Sequence, residues 1–136
     1  MNLLDQIRVT PLQQISTPGG DVWHALKSTE KSFKGVGEAY FSWVEAESIK
    51  AWKQHLRMTM NLVVPIGTVR FVFCDLLRHS FREEEIGASN YSRITVPPNI
   101  WFGFQGMSDK LSLVLNLANL PHDPAEVERK MKEEIH

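Results

Sequence analysis

Between Ile49 and Asn61 the chain reads Ile-Lys-Ala-Trp-Lys-Gln-His-Leu-Arg-Met-Thr-Met-Asn. In an extended conformation Lys53, His55 and Arg57 point to one face, and Trp52, Gln54 and Leu56 to the other. Three basic side chains turned inward are costly unless an anion or hydrogen-bond acceptors meet them. A diphosphate is such an anion, and the forked guanidinium of Arg57 suits it. The same face offers proton transfer. A lysine kept dry beside other cations has a lowered pKa and can remove a proton next to a ketone, which makes Lys53 a candidate base. His55 is then the candidate acid, and Asn61 or Asn116 a neutral donor for the developing enolate oxygen. Tyr40 and Tyr91 are the only phenols in the chain, and Tyr40 joins the candidate substrate-binding residues. Trp101 follows Pro97-Pro98 and is placed to stack on a base or a sugar face. Most other aromatic residues, Trp43, Trp52, Phe102 and Phe104 among them, are expected in the core.

The spacing of these residues follows two known signatures. Counting back from Gly67, Lys53, His55 and Met60 take the places of a His, a second His and a Glu. Downstream, Pro97, Asn99 and Phe102 take the places of a Pro, a Gly and a final His. The pair resembles the two cupin signatures with only one of four metal ligands kept. A lysine, a thioether and a phenyl ring are not donors for a transition metal, so neither metal nor cofactor is expected. The wording around these positions is more specific: Glu38-Ala39-Tyr40-Phe41-Ser42, the stretch from Lys50 to Asn61, that from Pro97 to Phe104 with Gly106 behind it, and Pro121-His122-Asp123-Pro124. Together they resemble the nucleotide-sugar branch of the cupins, which includes the dTDP-4-dehydrorhamnose 3,5-epimerases and the dTDP-4-keto-6-deoxyhexose 3,4-ketoisomerases.

The resemblance runs from about Asp21 to Glu126. It implies an all-β cupin jelly-roll barrel, a homodimer, and a metal-independent epimerase or isomerase acting on a nucleotide-linked 4-keto-6-deoxy sugar. Family epimerases use a histidine base, an aspartate that orients it, and a tyrosine acid on the far side of the sugar. By this register Lys53 stands at the base position and Leu115 or a neighbour at that of the tyrosine, and the aspartate's C-terminal extension is missing. A cupin that binds a sugar or nucleotide sugar without turnover is the alternative. A metal-dependent dioxygenase is disfavoured by the missing ligands.

The elements that must position these residues read as one domain. With 136 residues, 43% hydrophobic and 23% charged, the chain can bury a sizeable core. A formal net charge of −1 gives no footprint for nucleic acid. A single cysteine, Cys74, fits a reducing compartment. No signal peptide and no apolar run of membrane-spanning length are evident, so the cytoplasm is expected. Residues 1–20 read as an N-terminal arm, 21–122 as the barrel and 123–136 as a C-terminal α-helix. Strands are expected at Val22 to Leu26, Ala39 to Val44, Ile49 to His55, Tyr91 to Val96 and Trp101 to Phe104. Asn61 to Val64 and Thr68 to Cys74 read as a hairpin closed at Pro65-Ile66-Gly67, and Arg78 to Glu85 as an exposed loop. From Leu111 to Ala118 leucines alternate with other residues, the clearest strand pattern in the chain. For the tail, Asp123 serves as N-cap, Pro124 opens the helix and Glu126 is the capping-box acid. Val127, Met131 and Ile135 then form an apolar stripe, with Glu126 to Lys130 and Glu128 to Lys132 as surface pairs.

Overall fold

The computed structural model describes residues 2–135. In chain order its strands are β1 (Arg8–Pro11), β2 (Gln14–Ile15), β3 (Val22–Trp23), β4 (Glu38–Val44), β5 (Ile49–His55), β6 (Met60–Ile66), β7 (Thr68–Asp75), β8 (Ser80–Gly87), β9 (Ser92–Val96), β10 (Trp101–Gly106), β11 (Ser112–Ala118) and β12 (Val127–Arg129). Two antiparallel five-stranded sheets, in the orders β1-β9-β6-β11-β4 and β12-β5-β10-β7-β8, form the two walls of a jelly roll. Phe71, Phe73 and Phe102 from one wall meet Leu62, Val64, Ile94 and Val114 from the other in a single core. Among the described residues no helix is long and apolar enough to cross a membrane.

The segment expected to be an arm is built into this barrel. Leu4 and Ile7 lie in the core, and β1 edges the first sheet against β9. The expected hairpin at Gly67 is not one. β6 pairs with β9 and β11, whereas β7 pairs with β8 and β10, so the turn passes the chain from one sheet to the other. Gly67 has φ +81° there, and a Cβ would meet Ser112 Oγ at 2.2 Å, so both conformation and contact require glycine. The charged run expected as a loop is the edge strand β8, paired along its whole length with β7. Charges belong on such an edge because they discourage further strand addition.

The tail also departs from expectation. Asp123 does cap, accepting from the Ala125 amide, but Pro124–Glu126 makes only one 3-10 turn before β12 pairs with β5. Met131 is 68% exposed and Ile135 5%, so the expected stripe does not form. Lys130 pairs with Glu134, leaving Glu126 free for a different partner. An open strand edge offers backbone hydrogen bonds along its length, and these outweigh a local preference for helix.

Candidate active site

β5 carries the site, and its register with β10 fixes which side chains enter the barrel. Lys53 lies opposite Phe102 and Lys50 opposite Phe104, while Gln54 lies opposite Trp101. Phe102 is in the core and Phe104 packs against it. Lys50, Lys53 and His55 therefore face inward with the phenylalanines. On the far edge β12 sets Arg129 opposite Lys53 and Val127 opposite His55.

His55 is 5% exposed, and its ring stacks on Phe102 at a centroid distance of 5.9 Å. Its Nδ1 lies 2.5 Å from Oε1 of Glu126, a residue only 1% exposed. The second carboxylate oxygen accepts from the backbone amides of Arg57 at 3.0 Å and Met58 at 3.1 Å. Burial pushes the Glu126 carboxyl up, but the bonds from His55 and the two amides outweigh it and hold its pKa below the ordinary value. The carboxylate is thus ionised, and it fixes the His55 proton on Nδ1. Among the described residues Nε2 has no hydrogen-bond partner, and no fully buried side-chain nitrogen or oxygen lacks one. Nε2 therefore reaches solvent and is free to accept a proton.

Beside this dyad a cavity of about 580 Å³ opens between β4 and the β5–β12 edge. Ser42, Phe102 and Phe104 line it together with Lys50, Lys53, Arg129, Lys130 and Lys132, and Glu133 is its single carboxylate. The Lys130 ammonium itself lies over Trp101 and pairs with Glu134. Burial lowers the pKa of Lys53, and the charges of Arg129 and Lys50 lower it further. On the opposite wall, outside the lining of this cavity, the Tyr40 hydroxyl accepts from Asn116 Nδ2 at 3.0 Å. Asn116 Nδ2 also lies 3.9 Å from Met58 Sδ, and the Met58 amide binds Glu126, so a chain of contacts joins the two walls.

Of the residues singled out from sequence, the barrel interior brings together Lys53, His55, Tyr40 and Asn116. Three others lie elsewhere. Arg57 follows the end of β5, is 63% exposed at its side chain and pairs with Asp123 at 3.3 Å. Asn61 faces the outer side of the first sheet, where its Oδ1 accepts from Arg93 Nε at 3.1 Å and Thr95 Oγ1 at 2.6 Å. Trp101 is 6% exposed on the outer side of the second sheet, packed with Cys74 and Ile135 under the tail. The second phenol, Tyr91, donates to the His24 carbonyl at 2.7 Å beside Trp23. Sequence reasoning missed Glu126 and Arg129 because both were assigned to a surface helix. Lys53, His55, Met60 and Phe102 occupy the four signature positions, and among the described residues no three His, Cys, Asp or Glu side chains converge.

No protein-family model matches the chain, and no curated protein sequence does. Solved structures do match. A dTDP sugar isomerase from Desulfovibrio desulfuricans is 32% identical, with a TM-score of 0.90 over 95% of this chain and 86% of its own. The chain belongs to the dTDP-sugar isomerase and epimerase family of the cupins. Two more distant members share the fold. The sugar 3,4-ketoisomerase QdtA from Thermoanaerobacterium thermosaccharolyticum, solved with TDP, is 14% identical with a TM-score of 0.80 over 97% of this chain and 93% of its own. A dTDP-4-dehydrorhamnose 3,5-epimerase from Sulfolobus tokodaii is 18% identical with a TM-score of 0.82 over 100% of this chain and 83% of its own.

Proposed function

We propose that this protein is a metal-independent isomerase or epimerase of a nucleotide-linked 4-keto-6-deoxy sugar, with His55 as base and Tyr40 as acid. The observation that carries the reading is the buried 2.5 Å contact of His55 with Glu126. It gives position 55 the oriented imidazole that the family resemblance places two residues earlier, and Glu126 takes the aspartate's part. The cations that line the cavity, Lys53 and Arg129 above all, suit a diphosphate, in keeping with the TDP held by the related ketoisomerase.

In this reading His55 Nε2 removes the proton from a carbon next to the C4 ketone. The C–H electrons form the enolate double bond, and the carbonyl oxygen takes up the negative charge. Lys53 lies on the same face as His55, and its lowered pKa makes it a ready donor to that oxygen. Tyr40, across the barrel, returns a proton to the opposite face of the same carbon, which gives the epimer. If the proton returns to C4 while the neighbouring hydroxyl loses its own, the ketone migrates instead. Tyr91 is committed to the His24 carbonyl, which leaves Tyr40 as the available phenol.

The test is incubation with a dTDP-4-keto-6-deoxy sugar in heavy water. Deuterium is expected at C3 or C5 with the natural protein and not with His55→Asn, while both bind the nucleotide. Tight binding without exchange by the natural protein would move the assignment to a non-catalytic sugar-nucleotide cupin. Elemental analysis is expected to find no stoichiometric transition metal.

A homodimer belongs to this reading. Phe41, Trp43, Ile66 and Leu111 are each 48–63% exposed, and Phe41 and Trp43 stand opposite Leu115 and Leu113 on the outer face of β4 and β11. An apolar sheet face of this kind matches a second copy of itself. Trp43→Lys is expected to shift the protein to monomer in sedimentation, and a natural protein already monomeric at high concentration would remove this part.

A further inference from the structure

A second cavity, of about 520 Å³, lies on the outer side of the first sheet, away from the barrel interior. It takes no part in the chemistry above. Arg8 from β1 enters it from one side, and Lys31 and Lys34, on the segment joining β3 to β4, enter from the other. No carboxylate lines it. Among the described residues none of these three cations forms an ion pair, whereas Arg57, Arg78, Arg82, Arg93 and Lys130 each do. In a chain with net charge −1, three like charges gathered without a counter-charge repel one another and raise the local affinity for an anion.

The cleft also has neutral donors and a fixed floor. Ser32 and Thr59 line it with hydroxyls, and Thr95, whose own hydroxyl donates to Asn61, stands opposite Arg8 across the β1–β9 pair. Arg93, 0% exposed, holds the segment that carries the lysines: it binds Glu30 at 2.6 Å, Ser32 Oγ at 2.7 Å and the Ala25 carbonyl at 2.7 Å. Lys31 and Lys34 thus flank an anchored residue and need little ordering to meet a ligand. No aromatic ring lines the cleft, and Pro97 is its only apolar side chain. It has cations and hydroxyls for a phosphoryl group and nothing on which to stack a base.

We propose that this cleft binds the phosphate group of a small molecule, at a site separate from the barrel cavity. The site does not depend on the reaction assigned above, because none of its residues enters the barrel. The test is an amide NMR titration of the full chain with inorganic phosphate at constant ionic strength, with chloride as control. Saturable shifts are expected at Ser32, Thr59 and Thr95, and they are expected to persist when dTDP saturates the barrel cavity. Lys31→Ala combined with Lys34→Ala is expected to weaken the phosphate response by at least about tenfold, with the response to dTDP at Lys53 unchanged. Arg8→Ala provides an independent arm, since it alters the opposite side of the cleft and is expected to weaken phosphate as well. Shifts that never saturate, shifts that chloride reproduces, shifts confined to the barrel cavity, or unaltered phosphate affinity in the variants would each overturn the site.

Discussion

Two buried ionic clusters, one on the outer face of the first sheet and one inside the barrel, are partnered to different extents. On the outer face of the first sheet every nitrogen of the Arg93 guanidinium has an acceptor among Asn61, Ala25, Glu30 and Ser32. Inside the barrel Glu126 is equally saturated, but His55 keeps Nε2 without a partner among the described residues. A fully satisfied network holds a loop in place and does nothing further. A network with one atom left open keeps that atom available, which is what the proposed reaction requires. The carboxylates record the same contrast. Hydrogen bonding from the permanent Arg93 cation is the main cause of the lowered pKa of Glu30, whereas Glu126 is first pushed up by burial and then held down by a titratable ring and two amides.

The largest expected effect comes from closing the open end. Glu126→Gln keeps the shape of the side chain but no longer fixes the proton on Nδ1, so solvent-deuterium exchange should slow by about 10²-fold or more. The same variant carries a stability signature. The folded pKa of Glu126 lies below its ordinary 4.5, so between the two values the unfolded state binds more protons. Its contribution is fully present above that ordinary value and is lost as pH falls through the folded one. Acid unfolding of Glu126→Gln should lack this component, whereas that of Glu30, which runs in the same direction, should remain.

Breaking the saturated cluster should do the reverse. Arg93→Met leaves Ser32 Oγ and the Ala25 carbonyl without their donor and Glu30 without its cation, at a cost on the order of 3–5 kcal/mol in urea unfolding. The fraction that stays folded should exchange substrate protons at close to the natural rate. A large loss of exchange per folded molecule would show that the two clusters are coupled.

Smaller effects separate the two arginines near β5. Arg129→Ala removes a cation from the cavity and should weaken dTDP binding roughly tenfold by calorimetry. Arg57→Ala removes an exposed pair with Asp123, and should cost less than about 1 kcal/mol of stability with little change in binding. Equal losses in both variants would bring Arg57 back to the diphosphate.

These residues also mark how far sequence alone reaches. The bounds of β5 and the inward face of Lys53 and His55 follow from a period of two and a known signature. Arg57 fails because the period was carried past the strand's end, where the chain bends toward Glu126. In β11 the alternation identified the strand without saying which face is buried: Ser112, Val114, Asn116 and Ala118 are buried, and the leucines face outward beside Phe41 and Trp43. Glu126 was invisible for a different reason. Asp-Pro-Ala-Glu satisfies every local rule for the start of a helix, and only the free edge of β5, 71 residues away, gives the acid another partner.

The attachment of β12 to β5 has a kinetic meaning. Backbone bonds from Leu56 to Glu126 and between Trp52 and Lys130 in both directions hold Glu126 and Arg129 against the barrel. A fluctuation that unzips them removes the carboxylate from His55 and a cation from the cavity in one event. Under the proposed function, the free energy of that local opening sets the fraction of molecules competent at any instant. The hydrogen-exchange protection of the Trp52, Leu56 and Lys130 amides should read out that fraction directly, without any substrate present.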